Sequence, residues 1–192
     1  MALVACWQWE GSLVDASGDD LVVTTVNTTF AAGRTGMGLA MDATSDATVA
    51  ETSVLSPTNI TIELWLRPAQ LPATGRMGLL DNDGRYGLFL TSTGLQCVAG
   101  ANVASTVLPA VDAWTHVACT YDGTTGRLFV DGIEVLTALG AGLLATGPAT
   151  VKIGGNSPSG DRFVGTLDQL RVFSVARTPT QICDAALRTS CP

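Results

Sequence analysis

Apolar and polar residues alternate with a period of two over short stretches along most of the chain. That is the pattern of strands with one buried face. In residues 60–66, Ile60, Ile62, Leu64 and Leu66 share one face, while Thr61, Glu63 and Trp65 share the other. Residues 116–121 repeat the pattern, with Val117, Cys119 and Tyr121 set against His116, Ala118 and Thr120. Asp122-Gly-Thr-Thr-Gly126 then supplies turn chemistry, because Asp bonds its own backbone and glycine accepts positive φ. Leu128-Phe-Val-Asp131-Gly132 reads as the returning strand, so the spacing predicts a hairpin over 114–135.

Shorter runs predict strands at 3–9, 21–25, 39–42, 47–50, 78–81, 86–90, 95–99, 151–154 and 166–173. Turns are expected at 82–84 and 93–94, and loops at 10–20, 138–148 and 156–160. Residues 27–38, with their Thr pairs and glycines, read as irregular. One short helix is expected at 179–187, with Thr178 as N-cap and Pro179 in its first position. More than ten short strands with almost no helix predict an all-β domain of two packed antiparallel sheets. At 192 residues the chain is read as one domain, residues 1–192.

Composition narrows the function classes. Hydrophobic residues make up 46% of the chain, enough for a core, and charged residues only 14%. A net charge of −7 with ten thinly spread basic residues argues against nucleic acid, whose phosphates require clustered Lys and Arg. No run approaches the roughly 18 apolar residues of a membrane helix. The first five residues lack the basic stretch of a signal peptide and lead straight into a strand, so a native signal or upstream region is expected to be missing from this chain. The five cysteines show no C-x-x-C, and a single histidine disfavours a zinc cluster. Cys97 and Cys119 lie on strands expected to be consecutive and can pair, or can serve as small buried hydrophobes. Cys183 and Cys191 can staple the tail, and Cys6 is left over or bonds the tail itself. Asn27 and Asn59 each open a glycosylation sequon, which matters only in a secretory setting.

Four stretches, in order, resemble the laminin-G-like branch of the concanavalin A-like lectin/glucanase superfamily. The most specific is W-x-H-V-A-x-x-Y-D-G followed by F-V-D-G, running from Trp114 to Gly132. The others are Trp7-Gln-Trp-Glu10 with Val14-Asp-Ala-Ser-Gly18, the strand at 60–68, and Gly165-Thr-Leu-Asp168 through Ile182. The resemblance implies a jelly-roll sandwich, extracellular or at a cell surface, that binds glycans or extracellular proteins. It also implies a calcium ion tying an N-terminal acidic loop to the closing strand. Glu10, Asp15 and Asp168 match that kind of position, with Gly18 or nearby carbonyls completing the shell, and Asp42 stands second in rank. The alternative is that Asp15 caps a turn and Asp168 orders neighbouring backbone.

A sugar site requires an aromatic platform flanked by hydrogen-bonding groups. Trp65, Tyr86 and Phe163 are the candidate aromatics, and Arg85, Asn156, Asp161 and Arg162 the candidate polar residues. Against this, the four tryptophans fall in strand positions expected to be core, and aromatics are only 6% of the chain. Catalysis is disfavoured. The E-x-D-x-E triplet of related hydrolases is absent, and Asp131-Gly-Ile-Glu134 has the wrong spacing. His116 is the sole histidine and sits where the family uses it as a structural partner. The sequence therefore predicts a non-catalytic binding module, either glycan-binding with calcium or a protein-interaction and adhesion module without a sugar site.

Overall fold

The computed structural model describes residues 3–82, 84–147, 149–156 and 160–191. Asp83 of the expected turn, Pro148, and residues 157–159 of the expected loop fall outside them, as do Met1 and Ala2. Fifteen strands are described, in chain order: β1 Leu3–Trp7, β2 Val23–Val26, β3 Thr29–Ala32, β4 Met37–Met41, β5 Asp46–Thr52, β6 Ile60–Pro68, β7 Arg76–Asn82, β8 Tyr86–Thr91, β9 Gly94–Ala99, β10 Ala101–Ser105, β11 Thr115–Tyr121, β12 Thr125–Val130, β13 Ile133–Leu139, β14 Ala149–Ile153 and β15 Gly165–Phe173. One helix, α1 Pro179–Ala185, follows. No helix among the described residues is long and apolar enough to cross a membrane.

The strands form two antiparallel sheets. The larger runs β13-β12-β11-β6-β15-β4-β3, and the other runs β10-β9-β8-β7-β14-β5-β2. The last strand holds the first sheet together. β15 pairs with β6 along one edge; along the other it pairs with β4 at Gly165–Leu167 and then with β1 at Leu170–Phe173. At the changeover the register on β6 shifts between Asp168 and Arg171, and Gln169 takes φ +50°. Such a bulge re-aims side chains, here turning Leu170 back to the core that Leu167 also faces.

The core follows the period-two pattern. Ile60, Ile62, Leu64 and Leu66 point inward from β6, and Val117, Cys119 and Tyr121 from β11, all fully buried. They meet Leu88, Leu90, Leu95 and Cys97 of the seven-stranded sheet. Cys97 and Cys119 form a disulfide with Cα atoms 5.7 Å apart. The pairing matches expectation, but the strands are not consecutive. β10 intervenes, and the bridge joins opposite sheets through the middle of the core. Cys183–Cys191 closes the tail, and Cys6 is a free, buried thiol.

Three strands went unforeseen: β3 within the stretch read as irregular, β10 at Ala101–Ser105, and β13, which runs from the end of the expected hairpin into the expected 138–148 loop. The Ala, Asn and Ser of β3 and β10 carry little strand signal, and pairing fixes all three strands, with β4, β9 and β12 respectively. The helix has the expected Thr178 N-cap, with Gln181 completing a capping box. It stops at Ala185, short of the expected 187, where Leu187 takes φ +56°. Trp7 and Trp9 are core, Trp65 is buried on the outer side of β6, and Trp114 is only half-buried.

The outer side of the eight-stranded sheet holds a buried polar row beneath the C-terminal segment. Glu63 is fully buried and ion-paired with Arg171 at 3.2 Å and with Arg177. Burial raises its pKa in spite of both arginines. Beside it His116 is fully buried, in edge contact with Trp65, and neither ring nitrogen has a hydrogen-bond partner among the described residues. Burial, then the two arginines, lowers its pKa from 6.5 to about 3.

Two predictions follow from this packing. Replacing both Cys97 and Cys119 with Ala removes a loop constraint spanning 22 residues. Chain entropy then predicts a loss of about 3 kcal/mol, read from urea unfolding. For His116 the folded pKa lies below the unfolded one, so its neutral form stabilises the fold above pH 6.5, and that contribution is lost as the pH falls toward 3. Wild type should therefore lose ground to His116→Gln across that window. A difference in unfolding free energy that does not vary with pH would show that His116 is not held neutral.

Candidate functional site

Besides the buried row at Glu63, two places among the described residues gather polar side chains. The first lies where β15 meets the N-terminal loop. Asp168 is fully buried; its Oδ2 accepts from the backbone amides of Arg34 (2.7 Å) and Thr35 (3.1 Å), while its Oδ1 has no hydrogen-bond partner among the described residues. Glu10 reaches the same loop, accepting from the amide of Met37 at 2.9 Å. Gly33 and Gly36 make this closeness possible. A Cβ on Gly33 would sit 2.7 Å from Asp168 Oδ2, and one on Gly36 would collide with the Glu10 carboxylate. Burial raises the Asp168 pKa, the backbone amides of Thr35, Arg34 and Gln169 oppose the rise, and the Glu10 charge adds to it.

The other two candidate metal ligands lie elsewhere. Asp15 is consumed by its own loop: Oδ1 accepts from the amides of Cys6 and Ser17, and Oδ2 from the Ser17 hydroxyl and the Leu21 amide. Asp42 closes an exposed turn, accepting from the amide and hydroxyl of Thr44. Among the described residues no group of three or more His, Cys, Asp or Glu is placed to hold a metal ion. Any cation at Asp168 and Glu10 would have to draw its remaining ligands from backbone carbonyls and water.

The second place is on the outer face of the seven-stranded sheet. Because Leu88, Leu90, Leu95 and Cys97 point inward, Phe89, Gln96 and Val98 must point outward. A cleft of ≈130 Å³ opens there, lined by Arg76, Asp81, Gly87, Phe89, Val98 and Asn156. The Arg76 guanidinium lies 3.9 Å from the Phe89 ring centroid and binds Asp161 at 2.8 Å. Asn156 donates to the same Asp161 oxygen at 3.3 Å. The loop carrying these residues is laced to β7, since the Gly78 amide donates to the Asp161 carbonyl at 2.6 Å. Gly87 has no room for a side chain, because a Cβ there would strike the Phe89 ring.

Of the residues proposed from sequence for a ligand, Asn156 and Asp161 therefore converge. Tyr86 backs the same cleft but is buried, and its hydroxyl donates to the Leu55 carbonyl at 2.5 Å. Arg85 lies on the flank, donating to the Ser56 hydroxyl at 2.8 Å and to the Gly147 carbonyl. Arg162 turns toward Asp46 and the Ser45 carbonyl. Trp65 is on the other sheet, buried between Arg34 and His116, and Phe163 is fully buried, so neither offers a platform. Sequence reasoning missed Arg76, Asp81 and Phe89. The alternation along β8 could have found Phe89, while the Arg76–Asp161 pair spans 85 residues and had no local signal.

The architecture agrees with known proteins. Domain 4 of AbnA, a GH43 extracellular arabinanase of Geobacillus stearothermophilus solved with arabinotriose, superposes with a TM-score of 0.78 at 22% identity, over 96% of this chain and 98% of that one. The binding domain of Paraclostridial Mosquitocidal Protein 1 gives 0.74 at 16% identity, over 96% of this chain. That of botulinum neurotoxin serotype C1 gives 0.77 at 11%, over 98%. This chain spans only 52% of each of these toxin domains. No curated protein matches the chain significantly. Residues 42–183 match the Laminin G 3 family model, described as concanavalin A-like lectin/glucanases superfamily. With that match covering most of its length and the two-sheet sandwich in place, the chain belongs to the concanavalin A-like lectin/glucanase superfamily, as a laminin-G-type domain.

Proposed function

We propose that the chain is a non-catalytic glycan-binding module that works outside the cell, with its ligand seated on the outer face of the seven-stranded sheet. The observation that carries this reading is the convergence of Arg76, Asp81, Asn156 and Asp161 on one cleft beside Phe89. Sugar hydroxyls need donors and acceptors held in fixed positions, and the Arg76–Asp161–Asn156 set is pre-organised by its own bonds. Two disulfides accord with an oxidising compartment. The arabinotriose bound to the arabinanase domain, which matches this chain end to end, supports a glycan as ligand. Against an enzyme, Asp161 is held in an ion pair with Arg76, and His116 is buried on the other sheet.

A calcium ion belongs to this reading at Asp168 and Glu10. The residues fit a cation: Asp168 presents a buried oxygen with no hydrogen-bond partner among the described residues, and the Glu10 carboxylate raises the cost of leaving that charge unbalanced. Bound there, calcium would tie the N-terminal loop and the 33–37 turn to β15. It would supply stability rather than chemistry. A second reading, protein interaction, rests on β13, an edge strand that exposes Ile133, Leu136 and Leu139.

Three outcomes are expected. On an array of immobilised glycans, wild type should bind, and Arg76→Ala and Asn156→Ala should each weaken binding about tenfold or more. Glu10→Gln should leave binding unchanged. An array without any bound glycan, together with capture of a protein partner that Leu136→Asp abolishes, would replace this reading with the second. Millimolar calcium should raise the melting midpoint by roughly 5 °C over EGTA if it is held at about 100 times its Kd. The rise should vanish in Glu10→Gln, whose exposed carboxylate can be removed without disturbing the core. No shift in wild type would exclude calcium from this position.

A further inference from the structure

We infer that the ligand is a neutral, extended glycan chain of several units, lying along a groove that crosses four strands of the seven-stranded sheet. The inference rests on the glycan-binding reading above and adds the shape and charge of the ligand. The cleft beside Phe89 is too small to stand alone, since ≈130 Å³ falls well below the roughly 300–1,000 Å³ of ordinary ligand pockets. It is continuous with a second hollow of ≈370 Å³ lined by Arg85, Asn102, Gly142, Leu143 and Ala145. Gly84 and Val98 line both, so the two hollows meet above them.

The meeting point is open. Nothing lies within 4 Å of the place a Cβ would take on Gly84, so a chain can pass over this residue. The far wall is built to last. The 140–147 loop is fixed by the Ala141 amide on the Gly100 carbonyl (3.0 Å), the Tyr121 hydroxyl on the Gly142 carbonyl (2.5 Å) and Arg85 on the Gly147 carbonyl. From Arg76 on β7 to Asn102 on β10 the groove crosses three interstrand gaps, roughly 14 Å. A single sugar ring cannot touch both ends.

Charge decides between neutral and acidic glycans. Among the described residues of this face three cations are paired with carboxylates, Arg76 with Asp161 and both Lys152 and Arg162 with Asp46, and Arg85 is tied to the Ser56 hydroxyl and the Gly147 carbonyl. Asp81 adds a carboxylate to the cleft itself. A uronate or sulfated chain would have to compete with these bonds for the cations of the described residues, on a protein of net charge −7. Hydroxyl-rich neutral units meet donors and acceptors at both ends, with Asn156 and Asp81 at one and Asn102 at the other.

The test is a binding series on the intact chain. Linear neutral glucans, xylans, galactans and arabinans, each from one to eight units, are compared with galacturonan and alginate oligomers of the same lengths. Affinity should rise at least tenfold between two and five units in the neutral series that binds, and uronans should bind at least tenfold more weakly. Val98→Arg, at the half-exposed junction of the hollows, should remove the gain beyond two units while short oligomers keep their affinity. Affinity already complete at one or two units, or uronans preferred over neutral chains, would overturn the inference and leave glycan binding standing. No binding of any sugar would overturn both together.

Discussion

The face-to-face packing of the two sheets, locked by Cys97–Cys119, fixes everything that faces outward. Strand side chains alternate, so a residue pinned inward sends its neighbours out, and a slip of one position would exchange the two sets. Cys97 is pinned by a bond across the core, and Tyr86, Leu88 and Leu90 by burial in it. Gln96, Val98, Gly87 and Phe89 are therefore delivered to the outer face of the seven-stranded sheet with no interaction of their own needed to place them. The polar cleft is a consequence of the core, and its floor is as rigid as the core is.

Against that rigid floor, the rest of the cleft comes from distant parts of the chain. Arg76 sits at the start of β7, while Asp161 and Asn156 arrive on the loop before β15, held by the Gly78–Asp161 backbone bond. The opposite sheet carries a different task. There β15 gathers β1, β4 and β6, and Asp168, outward-facing next to the bulge at Gln169, fastens the 33–37 turn. One sheet thus holds the chain ends and the candidate cation position, and the other presents the candidate binding face. The two are joined through the core, so loss of the disulfide or of core packing would be felt at the cleft without any residue of the cleft being changed.

Much of this was legible in the sequence, for identifiable reasons. The strands at 60–66 and 116–121 alternate so strictly that their inward faces could be named in advance, and Asp122 bonds its own turn as such a residue does, while Asp131 reaches across the hairpin to the His116 amide. Family resemblance brought Glu10 and Asp168 into one hypothesis, and the fold brings both to the same loop. Asp15 could not be separated from them, because an acidic residue that caps a turn and one that faces a cation look alike in a sequence. The Cys97–Cys119 pairing was anticipated on the wrong ground, as neighbours in one sheet, since β10 gives so weak a signal. Arg76 was missed altogether. Its significance comes from Asp161 and Phe89, and only folding brings the three together.

The most direct test of where this protein binds is chemical-shift mapping of the ¹⁵N-labelled chain titrated with the glycan that binds it best. Shifts are expected at the amides of Arg76–Gly78, Gly87–Phe89, Gln96–Val98, Asn102 and Asn156, with the Arg34–Met37 turn unmoved. Shifts confined to the Arg34–Met37 turn and to Glu10, with the seven-stranded face silent, would move the binding site to the cation position and contradict the account.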